Sequence, residues 1–309
     1  MYILLFIGFI LLIKGADFFV EGSSSIAKLL RVPSVVIGLT VVAMGTSAPE
    51  MAVSVTAAIS GKNAIALSNV LGSNLFNLLV VAGACAVVIP LMVNREIIRR
   101  DLPFSVGLTA LLLLLCLWDK QVNHLDGCLL FGIQIGYLVY LIRKAMSQKN
   151  SKDQPNESNS LRSPAVSILL IVFGIAAIVW GGDLVVDNAS RIAGHFGLSQ
   201  TLIGLTIVAM GTSLPELVTS IVAARKGEKD MAMGNVIGSN LFNLLGVLGL
   251  SAAIHPIQVD ISSLYDIGIL LISSIAVWLL CRKQGLLNRN CGMGMLAAYA
   301  GYTAYIIVR

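Results

Sequence analysis

Charged residues are scarce in this sequence. Only 12% of its 309 residues are Asp, Glu, Lys or Arg, whereas about a quarter are charged in ordinary soluble domains. Hydrophobic residues make up 57% of the chain, and its mean hydropathy is +0.88. This composition excludes an ordinary soluble domain and indicates a polytopic membrane protein whose surroundings are a lipid bilayer.

The formal net charge of +5 does not indicate a nucleic-acid partner. Most of the Lys and Arg residues lie in short segments between apolar runs, as signals of membrane topology do. We therefore expect no nucleic-acid binding. No sequence feature indicates an obligate protein partner.

Cysteine and histidine are also scarce, and neither residue type is clustered. The five cysteines occur without any CxxC pair, mostly in or beside apolar runs, which argues against a disulfide framework or a metal cluster. The three histidines lie near predicted helix ends without HExxH or similar spacing. We expect no cofactor.

The apolar runs predict ten membrane spans, since a spanning helix needs about 20 mostly apolar residues. The approximate spans are 2–26, 33–59, 64–91, 103–118, 125–142, 164–190, 199–224, 231–254, 264–281 and 291–308. A polar segment separates the fifth span from the sixth. The predicted organisation is a first five-helix half (1–143), a cytoplasmic linker (144–163) and a second five-helix half (164–309).

The two halves repeat one another. The segment that begins IGLTVVAMGTSAPE at Ile37 returns as IGLTIVAMGTSLPE at Ile203, and the offset stays at 166 residues from Gly15 and Gly181 to Leu78 and Leu244. An odd number of spans in each half turns the second half upside down relative to the first, as in many secondary transporters. The predicted fold is thus an all-α polytopic membrane protein with ten transmembrane helices arranged as two inverted five-helix repeats.

The basic residues predict the orientation of the chain. With ten spans, nearly all loop Lys and Arg residues fall on one face of the membrane. Only Lys62, Lys120, Arg191 and Arg309 fall on the other. Because cytoplasmic loops carry the excess of Lys and Arg, we expect the linker in the cytoplasm and both termini outside the cytoplasmic membrane.

Each half carries a carboxylate within an otherwise apolar or small-residue run, Glu50 in the second span and Glu216 in the seventh. A charge at membrane depth is costly and therefore indicates function. No intramembrane Lys or Arg recurs in both halves as a partner. Pro49 removes a backbone donor, which is expected to break the helix and free carbonyl oxygens near Ala43 and Gly45.

Polar side chains recur every fourth residue around these carboxylates, so each set shares one helix face. The four sets are Thr46, Glu50 and Ser54; Thr212, Glu216 and Ser220; Asn69, Ser73 and Asn77; and Asn235, Ser239 and Asn243. All of these groups offer oxygen ligands, which suit Ca²⁺ and, by the same hardness argument, Na⁺. Two carboxylates balance one divalent or two monovalent ions.

Helix packing is the competing interpretation for some of these residues, because Ser, Thr and Asn also hydrogen-bond between transmembrane helices. For Ser54, Ser220, Asn69 and Asn235, helix packing and ion binding are equally supported, whereas packing is favoured for Asn74 and Asn240.

Four further acids recur in spans one and six, namely Asp17, Glu21, Asp183 and Asp187. Helix contacts or an interfacial position are favoured for them over a place on an ion path.

The paired GTSxPE and NxxGSNLFN segments resemble the two alpha-repeats of the calcium/cation antiporter superfamily, especially its compact prokaryotic sodium/calcium exchangers. The resemblance implies Ca²⁺ ligands at Thr46, Glu50, Thr212 and Glu216. It implies Na⁺ or supporting positions at Ala43, Ser47, Ser73, Asn77, Ala209, Ser213, Ser239 and Asn243. Some relatives have aspartate at the position of Asn243, which leaves the coupling ion and stoichiometry open.

The leading hypothesis is an antiporter that exchanges Na⁺ for Ca²⁺ across the cytoplasmic membrane by alternating access. Its ion site is expected where spans two, three, seven and eight meet, with spans one and six sliding across that core. An H⁺-coupled exchanger is the alternative, since a buried carboxylate can carry the proton itself. A cation channel is a further alternative. An intramembrane hydrolase using Ser47 or Ser213 is disfavoured, because the sequence offers no nearby His or Lys base.

Overall fold

The computed structural model describes residues 1–61, 63–149, 163–197 and 209–308. Its first-half helices are α1 (Tyr2–Leu30), α2 (Ser34–Thr46), α3 (Ala48–Ile59), α4 (Ala64–Val88), α5 (Ile97–Asp119) and α6 (His124–Lys149). Its second-half helices are α7 (Pro164–His195), α8 (Ala209–Gly211), α9 (Leu214–Arg225), α10 (Lys229–Ile254), α11 (Ile261–Gln284) and α12 (Arg289–Val308). The described residues also include four two-residue strands, which are β1 (Leu91–Met92), β2 (Gln121–Val122), β3 (Ile257–Gln258) and β4 (Leu286–Leu287).

In the described part of the chain, eight helices are long and apolar enough to cross a membrane. They are α1, α4, α5, α6, α7, α10, α11 and α12. The pair α2 and α3 meets the same test but bends by 50° at its break, so it counts as a ninth span if taken as one. The seventh predicted span lies partly outside the described residues, and α9 covers its end. The chain is a helical membrane protein.

The helix of the fifth predicted span is longer than the sequence indicated. Helix α6 continues to Lys149, so the first residues assigned to the linker are helical. Two contacts on the added turns stabilise the extension. Lys144 pairs with Glu96 at 2.8 Å, and Ala145 is buried against the helix bundle.

Helices α4 and α10 form the centre of the protein. In each of them 78% of the most apolar 18-residue segment is buried, against 22% in α6 and 11% in α12. Every residue from Met231 to Phe242 in α10 is buried. Polar side chains on α4 and α10 therefore face other helices rather than lipid.

Helices α1 and α7, which correspond to each other in the duplication, pack together in antiparallel directions. Small residues recur every seven positions along the contact and pair as Gly8 with Gly181, Gly15 with Gly174, and Gly22 with Ser167. A Cβ atom on Gly15 would lie only 2.9 Å from the Gly174 carbonyl oxygen. The two backbones thus approach too closely to admit larger side chains.

The short strands join loops from the two halves. β1 pairs antiparallel with β4, and β2 pairs antiparallel with β3. Further backbone hydrogen bonds extend both ladders, from Val93 to Gly285 and from Val259 to Lys120. A strand of two residues is too short to show the alternating apolar and polar pattern from which strands are predicted.

Candidate cation site

The first motif interrupts its span, as Pro49 predicted. Helix α2 ends at Thr46 and α3 begins at Ala48, with a 50° bend between them. Of the backbone oxygens expected to be freed near Ala43 and Gly45, that of Ala43 is not free, because it accepts a hydrogen bond from the Ser47 backbone N–H at 3.0 Å. A carbonyl oxygen has two lone pairs, so this bond does not exclude Ala43 as an ion ligand. The helical bond from residue i+4 persists at Ser47, since proline removes only the donor at its own position.

Both glutamates are fully buried, and each lies in the first turn of a helix that follows a break. Glu50 is the third residue of α3, and Glu216 is the third residue of α9. The amino-terminal end of a helix carries unpaired N–H groups and a partial positive charge. A carboxylate at this position is therefore stabilised by the helix terminus and does not require a basic side chain beside it.

Each carboxylate accepts a hydrogen bond from the first motif of the other half. The Ser47 hydroxyl donates to Glu216 Oε1 at 2.7 Å, and the Ser213 hydroxyl donates to Glu50 Oε1 at 3.0 Å. The two first motifs thus form one site, to which each half contributes a carboxylate and a hydroxyl.

The second motifs complete the surroundings of the carboxylates from α4 and α10. Ser73 donates to Glu50 Oε1 at 3.4 Å, and Ser239 lies 3.5 Å from Glu216 Oε1. The Ser239 hydroxyl also lies 3.5 Å from the Ala43 carbonyl oxygen. Within each half, a second-motif serine therefore supports that half's own glutamate.

Asn77 and Asn243 lie at matching irregularities in the central helices. The backbone widens into π-helical turns at Phe76–Val81 and Asn243–Val247. Such turns are rare and often mark functional sites. Both asparagines are buried, and the turn at Asn77 packs against α9 while the turn at Asn243 packs against α3.

Several buried oxygen atoms in this region have no hydrogen-bond partner among the described residues. They are Glu50 Oε2, Glu216 Oε2, Asn77 Oδ1, Asn243 Oδ1 and Thr212 Oγ1. Buried polar groups are nearly always satisfied, and unpaired ones are costly. The donor set of carboxylate, amide and hydroxyl oxygens suits a hard cation.

The corresponding threonines differ in their contacts. The Thr46 hydroxyl lies 3.1 Å from the Val42 carbonyl and 3.1 Å from Asn235 Oδ1. The Thr212 hydroxyl has no partner in the described ranges. Ala209 begins α8, and its side chain is outside the described residues.

The asparagines that the spacing assigned to packing do join the two central helices. Asn74 donates to the Asn240 carbonyl oxygen at 3.2 Å, and Asn240 donates to the Asn74 carbonyl oxygen at 3.3 Å. Asn243 also donates to Asn74 Oδ1 at 3.1 Å. The four residues whose role was equally open pair with one another within each half: Asn69 donates to Ser54 at 3.0 Å, and Asn235 donates to Ser220 at 2.9 Å.

One contact region outside the site was not predicted from sequence. Lys226 pairs with Asp17 at 3.1 Å, and Glu228 accepts hydrogen bonds from Ser24 and Ser34. These contacts join α1 and the start of α2 to the loop between α9 and α10. The sequence does give one indication of this region, because the two halves differ at this loop. Ser60 and Lys62 occupy the positions in the first half that correspond to Lys226 and Glu228.

The family model for sodium/calcium exchanger proteins matches residues 1–143 and 166–308, which is nearly the whole chain. The chain belongs to this family. Its members are transporters rather than enzymes, so this exchanger is a membrane transporter for cations.

Curated relatives match the exchanger over nearly its whole length. The putative antiporter CaxA of Alkalimonas amylolytica is 40% identical, over 97% of this chain and 96% of its own. The inner membrane protein YrbG of Escherichia coli K12 is 35% identical, over 98% and 95%. The sodium/calcium exchanger MaX1 of Methanosarcina acetivorans is 33% identical, over 85% and 86%.

The fold of the exchanger matches solved structures of the sodium-calcium exchanger NCX_Mj. For crystals soaked with 10 mM Na⁺ and 10 mM Sr²⁺, the TM-score is 0.85 at 30% identity, covering 98% of this chain and 99% of NCX_Mj. For crystals soaked without Na⁺ and Ca²⁺, it is 0.85 at 31% identity, covering 99% and 100%. The two proteins therefore share one architecture.

Proposed function

We propose that this exchanger moves Ca²⁺ across the cytoplasmic membrane in exchange for Na⁺, with the ions bound between Glu50 and Glu216. One observation carries the proposal. Both carboxylates are fully buried, each accepts a hydrogen bond from the opposite half on one oxygen, and each leaves its other oxygen unpartnered among the described residues.

The proposed ligands are oxygen atoms from both halves. Ca²⁺ takes about six to eight oxygen ligands in proteins. The proposed Ca²⁺ ligands are Thr46, Glu50, Thr212 and Glu216. The proposed Na⁺ or supporting positions are Ala43, Ser47, Ser73, Asn77, Ala209, Ser213, Ser239 and Asn243. Since the two carboxylates balance either one Ca²⁺ or two Na⁺ ions, competition between the two ions is electrostatically natural.

Alternating access follows from a site that belongs to both halves. Because each glutamate depends on a hydroxyl from the other half, a shift of one half changes both carboxylate environments together. The close packing of α1 against α7 supports movement of these two helices as one unit across the central helices.

Strand pairing supports ten spans in an inverted arrangement. Paired strands lie on the same side of a membrane, so an even number of crossings must separate β1 from β4, and likewise β2 from β3. With ten spans, the number of crossings is even both between β1 and β4 and between β2 and β3. Without the seventh span, both numbers would be odd. The antiparallel contact of α1 with α7 agrees with inversion.

The proposed orientation has both termini outside and the 144–163 linker in the cytoplasm. It rests on the segregation of basic residues. A bacterial relative of similar length is an inner membrane protein, which supports the cytoplasmic membrane as the location.

An H⁺-coupled exchanger is the second candidate. Asn77 and Asn243 are neutral, so only two carboxylates among the described site residues can take up or release protons. An exchanger of this kind would use Glu50 and Glu216 to carry protons in place of Na⁺.

Uptake of radioactive Ca²⁺ into proteoliposomes tests the proposal. Vesicles are preloaded with Na⁺, K⁺ or acidic buffer in turn, and the external solution lacks that ion. We expect uptake above that of protein-free vesicles only with the outward Na⁺ gradient. Uptake driven only by the proton gradient would establish the second candidate. Equal uptake without any counter-ion gradient would indicate a channel.

A further inference from the structure

A basic cavity that is largely open to the surface lies at the end of the bundle where α5 begins and α6 ends, away from the cation site. It has a volume of about 430 Å³ and is lined by Arg95, Glu96, Arg99, Arg100, Tyr140 and Lys144. Four of these six residues are basic. By the orientation proposed above, this end of the bundle faces the cytoplasm.

The cations in the cavity outnumber the carboxylates that can neutralise them. Arg100 is held by the buried Asp101 through Nε at 2.6 Å and Nη2 at 2.9 Å, and Lys144 pairs with Glu96 at 2.8 Å. Arg95 and Arg99 are exposed and have no ion-pair partner in the described part of the chain. The cavity therefore carries an excess of about two positive charges available to an anion.

Arg100, the arginine that lies beside Arg95 and Arg99 in the cavity, is held in a fixed position by buried contacts. Asp101, fully buried, also accepts a hydrogen bond from the Tyr137 hydroxyl at 3.0 Å. The Arg100 guanidinium lies over the Tyr140 ring, 5.3 Å from its centroid. Trp278 on α11 donates to the Ile98 carbonyl at 2.9 Å and anchors the start of α5. A topology signal needs only charge and would not require this buried support.

The arginines that line the cavity are not repeated in the second half of the sequence. β1 and β3 keep the 166-residue offset, so Arg95, Arg99 and Arg100 correspond to Ile261, Tyr265 and Asp266. The basic cluster is thus an addition to one half and not a consequence of the repeated fold.

We propose that this cavity binds the phosphate headgroup of an anionic phospholipid. Basic pockets between transmembrane helices on the cytoplasmic side suit such headgroups, and guanidinium groups pair well with phosphate oxygens. The apolar side chains of Ile135, Val139 and Ile142 are exposed on α6, the helix that contributes Tyr140 and Lys144 to the cavity. They provide a surface for acyl chains, which a soluble anion would not use. The inference does not depend on the coupling ion of transport.

Lipid binding to the full-length exchanger in neutral detergent tests this proposal. Native mass spectrometry measures the apparent affinity for cardiolipin, phosphatidylglycerol and phosphatidylcholine. The test variant is Arg95→Gln with Arg99→Gln. The matched control is Lys28→Gln with Arg225→Gln, two exposed cations on the same predicted face that do not line the cavity. A third variant, Arg95→Lys with Arg99→Lys, keeps the charge.

We expect the parent protein to prefer the anionic lipids over phosphatidylcholine. The glutamine pair should lose about thirtyfold in affinity for them, whereas the control and the lysine pair should stay within a few-fold of the parent. Equal loss in the test and control variants would overturn the proposal, since general charge attraction would then explain binding. So would equal affinity of the parent for all three lipids. Displacement of the lipid by millimolar inorganic phosphate would show a site for free phosphate instead.

Discussion

The hydroxyl of Ser47 donates a hydrogen bond to the carboxylate of Glu216 at 2.7 Å, although 169 residues separate them in the chain. The converse contact, from Ser213 to Glu50 at 3.0 Å, is its counterpart in the duplication. A residue from one half therefore sets the environment of the acid in the other. The proposed site exists only when both halves are packed together.

Ser47→Ala and Ser213→Ala should each weaken the apparent Na⁺ affinity by about tenfold, because a hydrogen bond to a charged group contributes about 1.5–3 kcal/mol. The two losses should be similar, since the two contacts are equivalent. Na⁺-dependent Ca²⁺ uptake over a range of Na⁺ concentrations measures this. Ser105→Ala, a buried serine on α5, is the control and should leave the affinity unchanged. Unaltered affinity in both test variants would exclude these serines from the site.

The duplication and the four-residue polar spacing singled out most of the polar side chains that lie close together in the structure, whereas Ser47 and Ser213 were implied only by the family resemblance. Glu50 and Glu216 could be singled out because acids without a repeated basic partner are costly at membrane depth. The break at Pro49 followed from the missing backbone donor. Such local rules depend on the chain near each residue, and the sequence displays them directly.

The contacts between halves could not be predicted, because periodicity gives the face of a helix but not the helix it meets. The family resemblance implied a role for Ser47, but nothing in the sequence indicated that its hydroxyl contacts Glu216 in the other half. The π-helical turn at Asn243 depends on packing around α10, and the strand ladders are too short to leave a pattern. The contact between Lys226 and Asp17 likewise required the packing of α1 against the loop.

Asp17→Asn should leave Ca²⁺ exchange within about threefold of the parent, because Asp17 pairs with Lys226 rather than with an ion. Both side chains are 35% exposed, and such pairs contribute only about 0–1 kcal/mol. Lys226→Gln should have an effect of similar size. Exchange rates and thermal stability of the two variants check this. Loss of exchange in Asp17→Asn with full activity in Lys226→Gln would instead place Asp17 on the ion path.

Apparent Ca²⁺ affinity should fall progressively as the external pH is lowered at fixed ionic strength. Protonation of Glu50 or Glu216 removes the negative charge that attracts the ion, so protons compete with Ca²⁺ for the site. Asn243→Asp adds a third carboxylate and should change this pH dependence, whereas Asp183→Asn should not. The apparent affinity is measured from Ca²⁺ uptake over a range of Ca²⁺ concentrations at each of a series of pH values. A constant affinity across the active pH range would contradict proton competition.

A reporter enzyme that works only in the cytoplasm should be active when fused at Asp153 and inactive when fused at Arg309. The expectation follows from the excess of Lys and Arg on the linker side of the membrane. Activity assays on cells expressing each fusion, normalised to protein level, measure it. Activity at Arg309 would contradict the proposed ten spans.

The central claim is that Glu50 and Glu216 together hold the transported ion. The most direct measurement is Na⁺-driven Ca²⁺ uptake in proteoliposomes containing Glu50→Gln or Glu216→Gln. Glutamine keeps the size and one oxygen but removes the charge that balances a dehydrated divalent ion. Asp183→Asn, at an exposed acid in α7, is the matched control, and size-exclusion chromatography checks folding. The account predicts that both glutamine variants fall to the level of protein-free vesicles while the control retains exchange. A well-folded glutamine variant that exchanges at the parent rate would contradict it.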